Sequence, residues 1–379
     1  METETIVAGA AADPAWQFAD ELGPQTIAHF HNAAAGLKAI LVVDNVAAGP
    51  SIGGVRMAAD VSLAECFRLA RAMTLKNAAA GLRHGGGKSV IFADPGVPGE
   101  RRQTLVRAFA KAIADIEDYI PGPDMGTNEQ CMGWVWDEIG RAVGLPREIG
   151  GIPLDEIGAT GWGVAACARV AAPYCDLQLD GARIAIQGFG SVGKHAARFL
   201  GQCGAVLVAA SDSRASVANP SGIDVDALVA HKLKHGSVEN FSGARSMDRD
   251  AIIASECDIW IPAARPDVVH AGNVDRLKTR LIIQGANIPI TAEAETTLAQ
   301  RNVLVIPDFI ANAGGVICAA VEYSRGTQHD ALQTIAEKVA ANTTEVLEQA
   351  KQHDITPRAA ATAMAERRVR DAMALQRHY

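Results

Sequence analysis

Long hydrophobic runs and an excess of positive charge are both lacking in this 379-residue chain. No run of about 18 or more apolar residues occurs, which excludes a transmembrane helix, so we expect no membrane partner. The 35 Lys and Arg residues are outnumbered by 43 Asp and Glu residues, and the net charge is −8. Because nucleic-acid-binding surfaces are normally basic, this balance argues against a nucleic-acid partner. It leaves room for a small cationic pocket.

The cysteine pairs of secreted proteins and the ligand patterns of metal sites are also missing. The seven cysteines are scattered without a Cys-x-x-Cys pair, which is typical of reduced thiols in a cytosolic protein. Residues 1–16 contain no basic residue and no long apolar run, so we expect no secretory signal. Two histidine pairs, His29 with His31 and His231 with His235, have no accompanying ligand pattern. We therefore predict a cytoplasmic protein without a metal site.

Glycine, in contrast, is abundant at 36 residues, and several glycines stand beside predicted strands and helices. The first half of the chain mixes the two kinds of element. Ser62 and Glu65 have the spacing of a capping box and predict the start of a helix. The full set predicted here is a strand over 36–45, a glycine-containing turn over 47–57, a helix from 62 to about 76–82, a glycine loop before a strand over 89–92, a helix over 104–118, and a helix through Trp134 and Trp136.

From about residue 158, short apolar runs alternate with helical stretches. Strands of this kind, each ending in small or polar residues, are typical of a parallel sheet that is buried on both faces. The last 50 residues are expected to be helical, with a helix start at Thr356 and Pro357. The predicted strands are ARIAIQGFG, AVLVAASD, CDIWIPA, RLIIQGAN and NVLVIPD.

A glycine-rich motif follows the first of these strands. Gly188, Gly190 and Gly193 form G-x-G-x-x-G between a strand and a helix, and Asp212 follows 19 residues later at the end of the next strand. This context predicts a dinucleotide site rather than a merely structural turn. Asp212 would bind the ribose hydroxyls and favour NAD, whereas Arg214 could instead pair with the 2′-phosphate of NADP. The turn expected to contact the cofactor consists of Gly188, Phe189, Gly190, Ser191, Val192 and Gly193.

Two lysines and one aspartate in the first half are candidates for chemistry. Lys76 and Lys88 are 12 residues apart among apolar residues and glycines. Two ammonium groups in one pocket would bind a carboxylate, and their proximity would lower the pKa of one of them, as suits a general base. Asp124 lies in a glycine- and proline-bounded loop, where it could shuttle protons. Ordinary surface lysines and an Asx-turn are the structural alternatives.

Several motifs in order carry a family resemblance, namely GGVRM, GGGKSVIFADP, GPDMG, ATGWGV, QGFGSVG, QGAN and IANAGGV. Together they resemble the glutamate/leucine/phenylalanine/valine dehydrogenases over roughly residues 30–370. The GGGK motif with a lysine 12 residues upstream is the most specific of them and favours the functional interpretation of both lysines. The resemblance implies an enzyme that carries out NAD(P)-dependent, reversible oxidative deamination of an L-amino acid to a 2-oxo acid and ammonia. It also implies a homo-oligomer.

The resemblance implies a role for each candidate residue. Lys76 matches the lysine that holds the substrate α-carboxylate. Lys88 matches the catalytic lysine that activates water, and Asp124 matches the aspartate that exchanges protons with the substrate amine. Thr160, Asn287 and Asn312 match residues that line the cofactor cleft, although turn chemistry remains an alternative for the two asparagines.

The side-chain pocket departs from the glutamate-specific pattern. Ile52 stands where those members have a lysine, and Ala319 stands where they have a serine. With Gly53 and Val316, these residues predict an apolar pocket, as in the leucine, valine and phenylalanine members. A glutamate dehydrogenase with a rebuilt carboxylate site, for which Arg83 or His84 could supply a cation, is the first alternative. A non-catalytic nucleotide-sensing protein is the second.

We therefore expect an α/β protein of two domains. Residues 1–155 would form an α/β domain for substrate binding and assembly, which the helices of residues 326–379 would rejoin. Residues 156–325 would form a Rossmann-type dinucleotide-binding domain. The active site would lie in the cleft between them, at the carboxyl ends of the parallel strands.

Overall fold

The computed structural model describes residues 17–376. The predicted absence of a secretory signal concerns residues 1–16, which lie outside the described part. The strands are β1 Thr26–Asn32, β2 Leu37–Asn45, β3 Ser51–Ala58, β4 Gly86–Phe92, β5 Tyr119–Pro123, β6 Arg183–Gln187, β7 Val206–Ser211, β8 Ala215–Ala218, β9 Arg245–Asp248, β10 Ile259–Pro262, β11 Leu281–Ile283 and β12 Leu304–Ile306. The α-helices are α1 Leu63–Ala79, α2 Gly99–Ala112, α3 Glu129–Ile139, α4 Ala159–Ala171, α5 Ser191–Gly201, α6 Val225–His235, α7 Ala292–Gln300, α8 Asp308–Ala311, α9 Gly314–Tyr323, α10 Gln328–His353 and α11 Pro357–Met373.

The first sheet has the order β1-β2-β4-β3-β5. The β3 strand runs parallel to both of its neighbours, whereas β2 is antiparallel to β1 and β4. Two expectations were wrong here, because the turn over 47–57 contains β3 and the glycine loop before Lys88 begins β4. A Cβ on Gly53 would lie 1.7 Å from the carbonyl oxygen of Gly87. The glycines therefore permit an unusually close pairing of two strands and do not form a loop.

Of the two helices predicted beside this sheet, α1 has the expected ends and α2 does not. The Ser62 side chain accepts a hydrogen bond from the Glu65 amide and so begins α1. The α2 helix covers Gly99–Ala112, so it begins and ends earlier than the predicted span of 104–118. Its buried residues, which include Phe109, pack with Leu41 and Val135 in the core between the sheet and the α2 and α3 helices.

The second sheet has the order β12-β11-β10-β6-β7-β8-β9. The β12, β11, β10, β6 and β7 strands are parallel, as predicted, and their residues are mostly buried. Two short antiparallel strands, β8 and β9, extend the sheet at one edge and were not predicted. The two-sheet α/β arrangement with a Rossmann-type second half confirms the predicted fold class.

The C-terminal helices contact both halves of the chain. The α10 helix packs along α4, and α11 packs against α1 of the first half. Arg368 of α11 donates hydrogen bonds to the carbonyl oxygens of Ala78 and Ala79, which lie at the end of α1. The boundaries expected at about 155 and 326 stay a prediction. No helix within residues 17–376 is both long enough and apolar enough to cross a membrane.

Candidate active site

Lys88 and Asp124 form an ion pair beside Gly54 of the neighbouring strand β3. Lys88 lies in β4, and Asp124 directly follows β5. The Lys88 Nζ atom lies 2.5 Å from Asp124 Oδ2, and the lysine side chain is 7% exposed. A Cβ on Gly54 would lie 2.7 Å from the Asp124 Cβ and 3.0 Å from the Lys88 Nζ. The ion pair therefore occupies space that any larger residue at position 54 would fill.

A second cation contacts the same carboxylate. The Arg56 Nε atom lies 3.1 Å from Asp124 Oδ2, and its Nη1 lies 2.5 Å from Glu65 Oε1. Burial alone would raise the pKa of Asp124, but the charges of Lys88 and Arg56 outweigh it and hold that pKa below its usual value. Neither Arg56 nor Glu65 was predicted as a site residue. The alternation of side chains along a strand could have indicated Arg56, because it lies two residues after Gly54 and therefore on the same face of β3.

Lys76 contributes a third positive group from α1. Burial lowers the pKa of Lys76 to about 8; the negative charge of Asp308 opposes this shift, and the positive charge of Lys88 adds to it. Asp308 begins α8, where its carboxylate accepts hydrogen bonds from the Ile288 amide at 2.8 Å and from Arg358 Nη1 at 3.1 Å. An anionic ligand beside Lys76 would stabilise the charged form of the lysine. Asp308 was not predicted as a site residue, although it is the final residue of the last predicted strand.

The glycine-rich turn has the geometry that a phosphate group requires. Gly188 has a φ of +97°, and a Cβ on Gly193 would lie 2.1 Å from the Gly188 carbonyl oxygen. Gly190 caps α5, and nothing lies within 4 Å of the position of its missing Cβ. A ligand can therefore approach the backbone at Gly190 and the start of α5. Beside this turn lies a cleft of about 830 Å³, whose lining includes Gln187, Gly188, Phe189, Gly190, Ser191, Val192 and Asp212.

The carboxylate of Asp212 accepts hydrogen bonds from other groups of the protein. Its Oδ1 accepts hydrogen bonds from the Arg214 amide at 2.9 Å and the Ser237 hydroxyl at 3.1 Å. Its Oδ2 accepts one from the Val238 amide at 2.8 Å and lies 3.4 Å from Lys232 Nζ. The side chain is 6% exposed. This geometry argues against the expected contact of Asp212 with ribose hydroxyls, because both oxygens already have donors.

The residues expected around the nicotinamide are close to one another. The Asn312 Nδ2 atom donates to Asn287 Oδ1 at 2.9 Å, and Asn312 Oδ1 is buried with no hydrogen-bond partner among the described residues. Gln187 Oε1, in the lining of the cleft, also has no partner within 17–376. A Cβ on Gly315 would lie 3.4 Å from Thr160 Oγ1, so the starts of α4 and α9 are adjacent. Buried acceptors of this kind fit a carboxamide NH₂ donor.

The expected side-chain pocket residues are apolar and largely enclosed. Ile52 and Ala319 are buried, and Val316 is partly buried against the same core. His84 is buried with its Nδ1 3.1 Å from the Pro50 carbonyl oxygen, and burial lowers its pKa. Arg83 is exposed. His84 is therefore a neutral side chain rather than a cation near neutral pH.

The histidine pairs have ordinary surroundings. His231 and His235 have ring centroids 4.5 Å apart, and His231 Nε2 lies 2.9 Å from the Glu239 carbonyl oxygen. Across residues 17–376, no group of three or more His, Cys, Asp or Glu side chains is arranged to hold a metal ion.

A glycine-rich turn at the carboxyl ends of a parallel sheet, combined with a buried lysine–aspartate pair, is typical of the nicotinamide-dependent dehydrogenases. The chain belongs to the Glu/Leu/Phe/Val dehydrogenase family of amino acid dehydrogenases. Residues 25–141 match the family's dimerisation domain, and residues 150–377 match the glutamate/leucine/phenylalanine/valine dehydrogenase domain. The predicted family and enzyme class are confirmed.

Three relatives illustrate the similarity. A glutamate dehydrogenase of Aeropyrum pernix is 38% identical over 322 residues, covering 80% of this chain and 77% of the relative. An NADP-specific glutamate dehydrogenase of Saccharolobus shibatae is 38% identical over 295 residues, covering 74% and 69% respectively. The crystal structure of hetero-hexameric glutamate dehydrogenase from Thermus thermophilus in its Leu-bound form superposes with a TM-score of 0.83. It is 26% identical and covers 94% of this chain and 91% of that one.

Proposed function

We propose that this protein catalyses the reversible, NAD(P)-dependent oxidative deamination of an L-amino acid to a 2-oxo acid and ammonia. The observation that carries the proposal is the buried contact between Lys88 and Asp124, with Lys76 close enough for its pKa to respond to Lys88. Lys76 binds the substrate α-carboxylate, and Asp124 exchanges protons with the substrate amine. Lys88 activates water and stabilises the charge that develops during its attack on the imine.

Residues of the second half hold the cofactor in this proposal. The turn over Gly188–Gly193 binds the pyrophosphate, while Thr160, Asn287 and Asn312 face the carboxamide. The chemistry that NAD or NADP supplies when bound is acceptance of a hydride. The protein aligns the substrate Cα with the cofactor and excludes water from the cleft.

For the choice of cofactor, we propose NADP over NAD, reversing the preference drawn from the sequence. Both oxygens of Asp212 already accept hydrogen bonds from the protein, which disfavours a further contact with ribose hydroxyls. A cavity of about 440 Å³ beside the cleft is lined by Ser213, Arg214, Asp248, Arg249, Asp250, Ala251 and Arg276. Arg249 pairs with Asp250, so the guanidinium groups of Arg214 and Arg276 are the candidates to bind a 2′-phosphate. The NADP-specific relative supports the same choice.

For the substrate side chain, the geometry of this chain favours an apolar group. Ile52, Val316 and Ala319 offer no partner to a carboxylate, and a buried unpaired carboxylate costs at least several kcal/mol. Glutamate is the second candidate, because the curated relatives are named glutamate dehydrogenases. Those names support the glutamate alternative better than the apolar one. A nucleotide sensor is disfavoured, since binding alone would not need Lys76, Lys88 and Asp124.

The decisive experiment compares wild-type protein with Ile52→Lys. Both are assayed with L-leucine, L-valine, L-phenylalanine and L-glutamate, each with NAD and with NADP. We expect wild type to prefer the apolar amino acids, and Ile52→Lys to raise kcat/KM for glutamate by about tenfold or more through a new ion pair.

Ile52→Leu is the matched control and should leave the preference unchanged. A wild type that turns over glutamate far faster than leucine would overturn the apolar assignment. Turnover of no amino acid would favour the sensor.

We also propose that the protein works as a homo-oligomer in the cytoplasm, where amino acids and nicotinamide nucleotides are available. The match of residues 25–141 to a dimerisation domain supports assembly. So does the hetero-hexameric assembly named for the structural relative from Thermus thermophilus.

A further inference from the structure

The carboxylate of Asp124 has two cationic partners of different chemistry. Lys88 Nζ and Arg56 Nε lie 2.5 Å and 3.1 Å from the same oxygen, Oδ2. A lysine can lose its proton during a reaction, whereas an arginine stays charged in proteins. The contact with Arg56 therefore persists whatever the protonation state of Lys88.

Arg56 is itself held in place by a contact on its other side. Its Nη1 pairs with Glu65 in the first turn of α1, and the arginine side chain is only 18% exposed. The loop that carries Asp124 is fixed by Thr127, whose hydroxyl accepts a hydrogen bond from the Asp124 amide and donates to the Val55 carbonyl oxygen. The guanidinium and the carboxylate thus approach each other from two restrained segments.

We infer that Arg56 is a positioning residue and the permanent counter-ion of Asp124. It holds the carboxylate in position and stabilises its ionised form between proton transfers, while Lys88 gives up and regains its proton. Because both cations contact Oδ2, Oδ1 is the oxygen on which the exchanged proton resides. This inference rests on the proposed function, since it concerns the same proton transfers.

The other titratable group on the neighbouring strand does not compete for this role. Tyr119 of β5 is fully buried, its hydroxyl donates to the Gly53 carbonyl oxygen at 2.8 Å, and burial raises its pKa well above the usual range. It therefore stays neutral. Glu65 reaches Asp124 only through Arg56.

The test compares the pH dependence of turnover in wild type, Arg56→Gln, Arg56→Lys and Glu65→Gln. Activity requires ionised Asp124, so it is lost as pH falls through that pKa. Removing the cation in Arg56→Gln raises this pKa, and the acid limb of kcat/KM should move up by about one pH unit or more. Arg56→Lys keeps a positive charge beside Asp124, so its acid limb should lie close to the wild-type position. Glu65→Gln keeps the positive charge of Arg56 beside Asp124, so its acid limb should move up less than that of Arg56→Gln.

A second measurement does not need turnover. The carboxyl ¹³C resonance of Asp124, assigned by comparison with Asp124→Asn, can be titrated in the same variants. An upward shift of the Asp124 pKa in Arg56→Gln supports the inference even if no amino acid is turned over. Absence of turnover would contradict only the proposed function. Arg107→Gln, which breaks an ion pair with Asp137 on α3, is the matched control and should titrate like wild type.

Identical Asp124 titration in wild type and Arg56→Gln would overturn the inference. So would an acid limb that moves equally in Arg107→Gln. If Arg56→Gln does not fold, Arg56→Lys decides the matter. A smaller upward shift than one unit is then expected, because an ammonium group cannot bridge Asp124 and Glu65 with the guanidinium geometry.

Discussion

Gly54 shows how one small residue decides where charged groups meet. The Lys88 Nζ and the Asp124 Cβ both lie within about 3 Å of the position that a Cβ on Gly54 would occupy. The glycines before Lys88 were expected to form a loop, which is wrong because Gly86 and Gly87 begin β4. The sequence alone did not indicate that Asp124 lies beside Gly54, because the two residues are far apart along the chain.

The charged partners of the site were predictable to different degrees. Lys76 and Lys88 have a distinctive spacing, whereas Arg56 in a strand resembles any partly exposed arginine. Asp212 stands at the predicted position but binds Ser237 and Val238, which lie about 25 residues further on. No local pattern predicts such a contact.

At the same scale, Arg214→Ser tests the choice of cofactor. If Arg214 pairs with a 2′-phosphate, the KM for NADP should rise about tenfold or more, while the KM for NAD changes little, because a charge-assisted hydrogen bond to a phosphate is lost. Steady-state kinetics with both cofactors measure this.

Arg280→Ser serves as the control, since Arg280 precedes β11 at the amino end of the sheet and pairs with Asp258. An equal rise of both KM values in Arg214→Ser would contradict the assignment.

At the scale of elements, regular hydrophobic runs were predicted well and pairing-dependent strands were not. The β6, β7, β10, β11 and β12 strands are mostly apolar and could be recognised from their own sequences. The β3 strand contains two glycines, which are unfavourable in strands, and it is stabilised by its pairing with β4 and β5. The β8 and β9 strands are four residues each and are defined by their pairing, β8 with β7 and β9 with β8.

Helix packing at the cleft gives a prediction at this scale. A Cβ on Gly314, at the start of α9, would lie 2.0 Å from the carbonyl oxygen of Ala159 in α4. Because backbone must move to relieve this clash, Gly314→Ala should lower the free energy of unfolding by about 1–3 kcal/mol. Denaturant unfolding measures the change.

Gly201→Ala is the matched helical control. Nothing lies within 4 Å of the position of its added Cβ, and alanine favours a helix, so its stability should equal or exceed that of wild type. Equal stability of the two variants would show that α4 and α9 are not packed as described.

At the scale of the whole molecule, a chain of net charge −8 brings several cationic side chains close together. The fold places Lys76 from the first half near Asp308 from the second, while Lys88 and Arg56 contact Asp124, and α11 packs back onto α1. The order of motifs predicted an α/β chain with a Rossmann-type second half, whereas the domain boundaries and the cleft between the domains stay predictions. The contact of α11 with α1 fits the expected return of the C-terminal helices to the first domain, and the contact of α10 with α4 was not predicted.

The central claim is that Lys88 acts in amino acid dehydrogenation within this cleft. It is tested most directly by the absorbance of the reduced cofactor, measured with wild type and with Lys88→Ala on the best amino acid substrate. Cofactor binding is measured in parallel by fluorescence. We predict that Lys88→Ala loses about a thousandfold or more of kcat while the Kd of the cofactor stays within about threefold, because general base catalysis is lost and the nucleotide turn is untouched. Turnover by Lys88→Ala equal to that of wild type would contradict the account.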